Sequence, residues 1–358
     1  MALALALCTT LAPTAPSGAA PTESIAGPVI ETRDIDRFWT AYEAVRSATD
    51  RPTKLSSFQR LYLDPATPGL QALMAARRYT PAQYVDAIDN YPKFWASIRP
   101  LTARAKEAAA PLAKDLATFR QIYPELKPAS ITYAIGVLRT GGTTTGTMVL
   151  IGAEIALADE TVDVSELPEP MRSRLGTFFR TRPFINNGQN NVHEYVHTQQ
   201  QESGDSLAAR VAYEGVAEFV AERVTGHRPP LQLYVYGSAH RNAVRARFRV
   251  DMAKTDWDDW LYNSDRNVFG VSDMGYFVGY EIARGFYDRA HDKRAAIRAM
   301  IQLRYGDEAA VRDYIAKSGY LTGPGTMPGL SGQRSSFRKT LSKPGDAVHR
   351  SAAHQRTS

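Results

Sequence analysis

The apolar positions in the first third of the chain recur at helical spacing. One such helix face consists of Ile35, Phe38, Trp39 and Tyr42. Thr80, followed by a proline and then by Gln83 at the third helical position, is typical of a helix start. Residues 106–123 show a further helical pattern, and a proline follows it. We therefore expect a helical N-terminal lobe over residues 28–127.

After residue 128 the pattern changes to short runs of β-branched and apolar residues. Two such runs, residues 131–138 and 147–157, are separated by two glycines and a series of threonines. Turn-forming residues between two strand-like runs indicate a β-hairpin. Helical periodicity then returns and continues to about residue 321, so residues 128–321 are expected to form a second region with a small sheet and several helices.

The most informative motif for a chemical function is the string His193-Glu194-Tyr195-Val196-His197. On a helix, positions i and i+4 share one face, so both imidazoles can reach a single metal ion. Glu194 would then lie at the open side of that ion. This H-E-x-x-H pattern is typical of a hydrolytic zinc site. An ordinary solvated helix face is the alternative interpretation of the same string.

A catalytic zinc ion takes three protein ligands, and Glu214 is the candidate for the third. Ser206 is typical of a helix start and Gly226 of a helix end, so Glu214 and Glu218 lie one turn apart on one helix. A short break near residues 203–204 would let this helix pack against the histidine helix. Glu218 would then accept a hydrogen bond from a ligand imidazole and fix its tautomer.

With these two helices the chain resembles the gluzincins, the zinc peptidase clan that includes thermolysin and the aminopeptidase N type. A closer likeness is to bacterial families of predicted zinc-dependent proteases, to which a gliding-motility lipoprotein is related. The residues that carry it are Asp36-Arg37-Phe38-Trp39 and the segments 92–95 and 275–280. The resemblance spans most of residues 34–320.

The resemblance implies further parts of an active site. Tyr276 opens a Tyr-x-x-Gly string and is expected to stabilise the oxyanion of the transition state, with Tyr280 in reserve. Residues 147–151 are expected to form the strand at the rim of the cleft that pairs with the substrate backbone. Glu154 stands where related aminopeptidases recognise the substrate amine, although a surface carboxylate is the simpler interpretation.

Together these features predict an α+β, mostly α, fold: a gluzincin-type domain with a small sheet at the cleft. The expected function is hydrolysis of peptide bonds in a peptide or protein substrate, with one Zn²⁺ on His193, His197 and Glu214 and with Glu194 as general base. A binding or assembly protein of the cell envelope that retains the zinc site with no catalysis or only weak catalysis is the alternative.

The start of the chain predicts export. Residues 1–20 combine an apolar run with small residues at its end, which is typical of a signal peptide and of a periplasmic or secreted protein. Cys8 is the only cysteine, so a lipid anchor at Cys8 is the alternative, although the preceding leucine is larger than a lipoprotein signal prefers. No later apolar run reaches the length of a membrane span.

The net charge of +6 is concentrated in the last residues of the chain. From residue 323 onward, six basic residues stand against one acidic residue in a sequence rich in Gly, Ser and Pro. We expect this tail, residues 322–358, to be disordered. The remaining chain is nearly neutral, which argues against a nucleic-acid-binding surface.

Overall fold

The computed structural model of the protein describes residues 30–263 and 266–322. The predicted signal peptide, Cys8 and the tail from residue 323 lie outside these residues. The described part of the N-terminal lobe contains the helices α1 (Arg33–Ser47), α2 (Arg51–Phe58), α3 (Pro68–Arg77), α4 (Pro81–Asn90), α5 (Pro92–Thr102), α6 (Arg104–Glu107) and α7 (Ala109–Ile122). A π-helical turn, Gln59–Leu63, continues α2.

The helix starts of this lobe follow local rules. Thr80 and Gln83 form the expected capping box, in which each side chain binds the other residue's backbone N–H group. The helix predicted over residues 106–123 is instead divided into α6 and α7 at Ala108. Pro111 has no N–H to donate to the backbone carbonyl one turn earlier, which explains the break.

Aromatic side chains fill the core of the lobe. The rings in mutual contact belong to Phe38, Trp39, Phe58, Tyr62, Tyr84 and Trp95. The hydroxyls of Tyr62 and Tyr84 both donate to the carbonyl of Ile135, at 2.7 and 3.0 Å. This buried cluster therefore attaches the lobe to the sheet that follows it.

The sheet has the strands β1 (Ile30–Glu31), β2 (Ser130–Ala134), β3 (Gly142–Thr145) and β4 (Met148–Gly152). Their order is β1-β2-β4-β3, in which β2 lies parallel to β1 and β4, and β3 lies antiparallel to β4. Because β1 pairs with β2, the start of the N-terminal lobe and the later region share one sheet.

The predicted hairpin is wrong in its pairing. Residues 131–138 and 147–157 supply β2 and β4, but these strands are parallel, and the hairpin partner of β4 is β3. The threonine run expected to form the turn is strand β3, since β-branched residues suit an extended backbone. Gly146, with a φ of +55°, begins the short turn between β3 and β4.

The prediction of the strand at the rim of the cleft is therefore also wrong. Residues 147–151 lie mostly in β4, which is hydrogen-bonded on both sides and has no free edge for a substrate. Strand β3 lies at the edge of the sheet and packs against the helix that carries His193 and His197.

The remaining described helices surround the site. They are α8 (Ala153–Ala156), α9 (Met171–Phe179), α10 (Asn187–His197), α11 (Leu207–Thr225), α12 (Gln232–Ala239), α13 (Arg241–Asp251), α14 (Met274–Arg289), α15 (Lys293–Ile301) and α16 (Glu308–Ser318). Helix α11 is central, because it packs against α7, α10, α14, α15 and α16. The expected α+β, mostly α, architecture with a small sheet is confirmed. Among the described helices, none has the length and hydropathy of a membrane span.

Candidate metal centre

Helix α10 presents the buried His193 and the half-buried His197. A polar network at the start of this helix attaches it to β2: the Tyr133 hydroxyl donates to Oδ1 of Asn187 at 2.9 Å, and Nδ2 of Asn191 donates to that hydroxyl at 2.9 Å. Buried hydrogen-bonded side chains of this kind hold an element in one orientation. The sheet therefore positions the helix that carries both imidazoles.

Helix α11 presents Glu214. It begins where the sequence predicted, because Oγ of Ser206 accepts a hydrogen bond from the N–H of Ala209. Gly226 ends it with a φ of +70°. Glu214 is buried on the side that packs against α10.

The three predicted ligands converge on one point. The Nε2 atoms of His193 and His197 are 3.0 Å apart, and Oε2 of Glu214 lies 3.2 and 3.3 Å from them. Donor atoms placed 2.0–2.1 Å from a tetrahedral zinc ion are separated by roughly 3.3 to 3.4 Å. A nearly equilateral triangle of this size, built from two imidazoles and a carboxylate, fits such an ion. The group can therefore hold a metal ion.

The charges of the cluster depend on one another. Burial by itself lowers the pKa of His193, but hydrogen bonds and charges from Glu214 and Glu218 outweigh it and hold that pKa well above its usual value. Burial by itself raises the pKa of Glu214, but the two imidazoles outweigh it and hold that pKa well below its usual value. A metal ion that binds here must displace a proton, so its affinity falls at low pH.

A second set of side chains orients the imidazoles. Oε1 of Glu218 lies 3.0 Å from Nδ1 of His193, as the sequence predicted. Oε1 of Gln200 lies 2.7 Å from Nδ1 of His197. The Tyr234 hydroxyl donates to Oε2 of Glu218 at 2.7 Å. An oxygen of Gln200 or Glu218 thus lies close to Nδ1 of each imidazole, and each Nε2 faces the cluster. Gln200 and Tyr234 had no recognisable signal in the sequence.

Glu194 lies beside the edge strand rather than among the ligands. Its Oε2 accepts a hydrogen bond from the Thr144 hydroxyl at 2.8 Å. A Cβ atom at Gly142 would lie 3.0 Å from Oε1 of Glu194, so a side chain at residue 142 would require this carboxylate to shift by a few tenths of an ångström. The half-buried Glu194 therefore lies between the histidine helix and β3.

The two candidate tyrosines of α14 have different surroundings. The half-buried ring of Tyr276 has its centroid 6.1 Å from that of His193. Burial, together with the charge of Glu214, holds the pKa of Tyr276 well above its usual value, so its phenol keeps a proton to donate. Tyr280 lies one turn further on, against the ring of Tyr234 and under the guanidinium of Arg228. The structure places Tyr276, and not Tyr280, beside the imidazoles.

Tyr262 is a site residue that the sequence did not reveal. Its hydroxyl donates to Oε1 of Glu214 at 2.5 Å. It belongs to the connection between α13 and α14, and nothing in the sequence distinguishes it from the other tyrosines of the protein.

Glu154 is neither a surface carboxylate nor an exposed amine-binding group, so both interpretations are wrong. It has no exposed surface and accepts hydrogen bonds from the backbone N–H groups of Gly136 and Leu138, at 2.9 and 3.1 Å. Burial raises its pKa to about 7. Glu154 holds the loop that leads from β2 to β3.

His227 and His240 lie outside the cluster. His227 is exposed, as expected, and its Nε2 lies 2.9 Å from Oδ1 of Asn186. His240, which the sequence left unassigned, is exposed and contacts the ring of Tyr236.

Comparison of the chain with protein-family models, with curated proteins and with solved structures finds no match.

Proposed function

We propose that this protein is a gluzincin-type zinc peptidase. The observation that carries the proposal is that the ligand triangle is accompanied by a separate carboxylate, that of Glu194. Glu194 lies on the helix of the two histidines but accepts a hydrogen bond from β3. A structural zinc site usually fills its fourth position with a protein ligand and has no use for such a carboxylate. Within residues 30–263 and 266–322, no fourth His, Cys, Asp or Glu joins the triangle.

His193, His197 and Glu214 would hold one Zn²⁺. When bound, the ion supplies Lewis acidity, which makes water more acidic near neutral pH and polarises a carbonyl group. Gln200 and Glu218 keep the two imidazoles in the tautomer that presents Nε2.

Glu194 would act as the general base. Its Oε2 is occupied by the Thr144 hydroxyl, which leaves Oε1 to take a proton from water and pass it to the leaving amine nitrogen. Tyr276 would donate a hydrogen bond to the substrate oxygen on which charge develops, a contribution of about 3 to 4 kcal/mol in the transition state.

Strand β3 would bind the substrate backbone. It is an edge strand beside Glu194, and an extended peptide that pairs with such an edge gains main-chain hydrogen bonds without side-chain preference. The substrate is accordingly proposed to be a peptide or an unfolded segment of a protein. Export to the periplasm or outside the cell, with a lipid anchor at Cys8 as the alternative, remains a prediction from the sequence.

The proposal is tested by measuring the zinc content of the purified protein and its cleavage of an unbiased peptide library, read by mass spectrometry. We expect about one zinc ion per chain and cleavage products that disappear in Glu194→Gln, which keeps the metal ligands. If the zinc-loaded wild type cleaves no peptide, the alternative of an assembly or binding protein with a retained zinc site replaces the peptidase.

A further inference from the structure

The two carboxylate oxygens of Glu214 have different partners. Oε2 faces the imidazole nitrogens of His193 and His197, at 3.2 and 3.3 Å. Oε1 accepts the hydrogen bond from the Tyr262 hydroxyl. A carboxylate can bind a metal ion through one oxygen or through both, and a strong donor on one oxygen favours binding through the other.

The backbone at Tyr262 is held in an uncommon conformation. Its φ is +56°, in the left-handed region that a tyrosine seldom adopts. The next residue is tied down by a reciprocal pair of hydrogen bonds: the N–H of Asn263 donates to Oδ1 of Asp273 at 3.2 Å, and the N–H of Asp273 donates to Oδ1 of Asn263 at 2.8 Å. Conformations of this kind persist only where the surroundings enforce them, and they concentrate at functional sites.

Packing of the ring does not account for this arrangement. Tyr262 is 57% exposed, and its ring makes edge contacts with Trp257 and Tyr276. The interaction that the loop secures is the contact between the hydroxyl and the buried carboxylate.

We propose that Tyr262 is a positioning residue that makes Glu214 a one-oxygen metal ligand. It acts through Glu214 and touches neither the ion nor the substrate. By occupying Oε1 it leaves Oε2 as the third corner of the triangle and favours four-coordinate zinc over ions that prefer more oxygen ligands. This inference rests on the metal binding in the proposed function and not on the peptidase activity.

The test is the zinc affinity of Tyr262→Phe, measured by competition with a chromophoric chelator. Loss of a hydrogen bond to a ligand carboxylate is expected to weaken zinc binding by about 10- to 100-fold. Tyr276→Phe removes a hydroxyl from the same neighbourhood and is the matched control, with zinc affinity expected within about threefold of wild type. Melting of the metal-free proteins shows whether either variant is unfolded.

A second readout reports the coordination itself. Cobalt-substituted wild type is expected to show the intense visible absorption of a tetrahedral site, and Tyr262→Phe a weaker spectrum typical of a higher coordination number. Unchanged zinc affinity and an unchanged cobalt spectrum in Tyr262→Phe overturn the role of Tyr262 alone. A wild type that binds zinc but cleaves no peptide overturns the proposed function alone, and a wild type that binds no zinc overturns both.

Discussion

Gly215 and Gly279 bring the backbones of α11 and α14 into direct contact. A Cβ atom at Gly215 would lie 2.0 Å from the carbonyl carbon of Gly279, and one at Gly279 would lie 2.0 Å from the carbonyl oxygen of Val211. Gly215 follows the candidate ligand Glu214, and Gly279 lies three residues after Tyr276. This contact between the two helices therefore positions the candidate metal ligand relative to the candidate oxyanion donor.

Gly215→Ala is expected to lower the free energy of unfolding by about 3 kcal/mol or more, because the added methyl group meets backbone atoms that cannot rotate away. Gly176→Ala in α9 is the control: a Cβ there meets a valine methyl at 3.4 Å and an arginine nitrogen at 3.9 Å, both ordinary contacts, so the change should be neutral or slightly stabilising. Denaturant unfolding measures both. Equal stability of the two variants would contradict the contact.

His193→Ala, His197→Ala and Glu214→Ala are each expected to lower zinc occupancy by at least about tenfold, since each removes one corner of the triangle. Glu194→Gln should keep the metal, because its carboxylate lies beside β3 and not among the ligands. Metal analysis after dialysis distinguishes these outcomes. Similar loss in all four variants would show that the division between ligands and base is wrong.

Thr144→Val is expected to reduce peptide turnover by about tenfold, because it removes the hydroxyl that holds Oε2 of Glu194 while it keeps a β-branched residue in β3. Thr145→Val, at an exposed position of the same strand, should retain wild-type turnover. Steady-state kinetics at saturating substrate compares the two. An equal effect in both would point to a general disturbance of the strand.

Tyr276→Phe is expected to lower peptide turnover by ~10²-fold or more with little change in zinc content, because only a donor to the transition state is lost. Tyr280→Phe should affect turnover much less, since its ring packs away from the imidazoles. If both variants turn over peptide as the wild type does, neither tyrosine is the donor.

The stability of the protein should depend on the ionisation of Glu154. Its pKa is about 7 in the folded protein against an ordinary value of 4.5, so the folded state binds the proton more tightly. The resulting stabilisation is complete below pH 4.5 and is lost as the pH rises through 7. From pH 5 to pH 8 the wild type should lose about 2 to 3 kcal/mol relative to Glu154→Gln, in which residue 154 cannot ionise. A difference between the two proteins that is independent of pH would contradict this.

Local periodicity was sufficient to group the three candidate metal ligands. Helical spacing places His193 with His197 and Glu214 with Glu218, and Ser206 marks where the helix of the two glutamates begins. These relationships depend on residues within one or two turns of the same helix, so the sequence shows them directly.

Several of the errors and omissions involve partners that are distant along the chain, although Gln200 lies only three residues after His197. Strand β3 exists because Gly142–Thr145 pair with β4 across a short turn. Strand β2 pairs in parallel with the other side of β4, after the chain has passed through residues 135–141 and β3. Glu154 is buried because a loop some 16 residues earlier folds over it, and Tyr262 reaches Glu214 across 48 residues. Strand pairing, burial of a charge and a contact between separate loops depend on which surfaces meet after folding, and no periodicity within a segment records them.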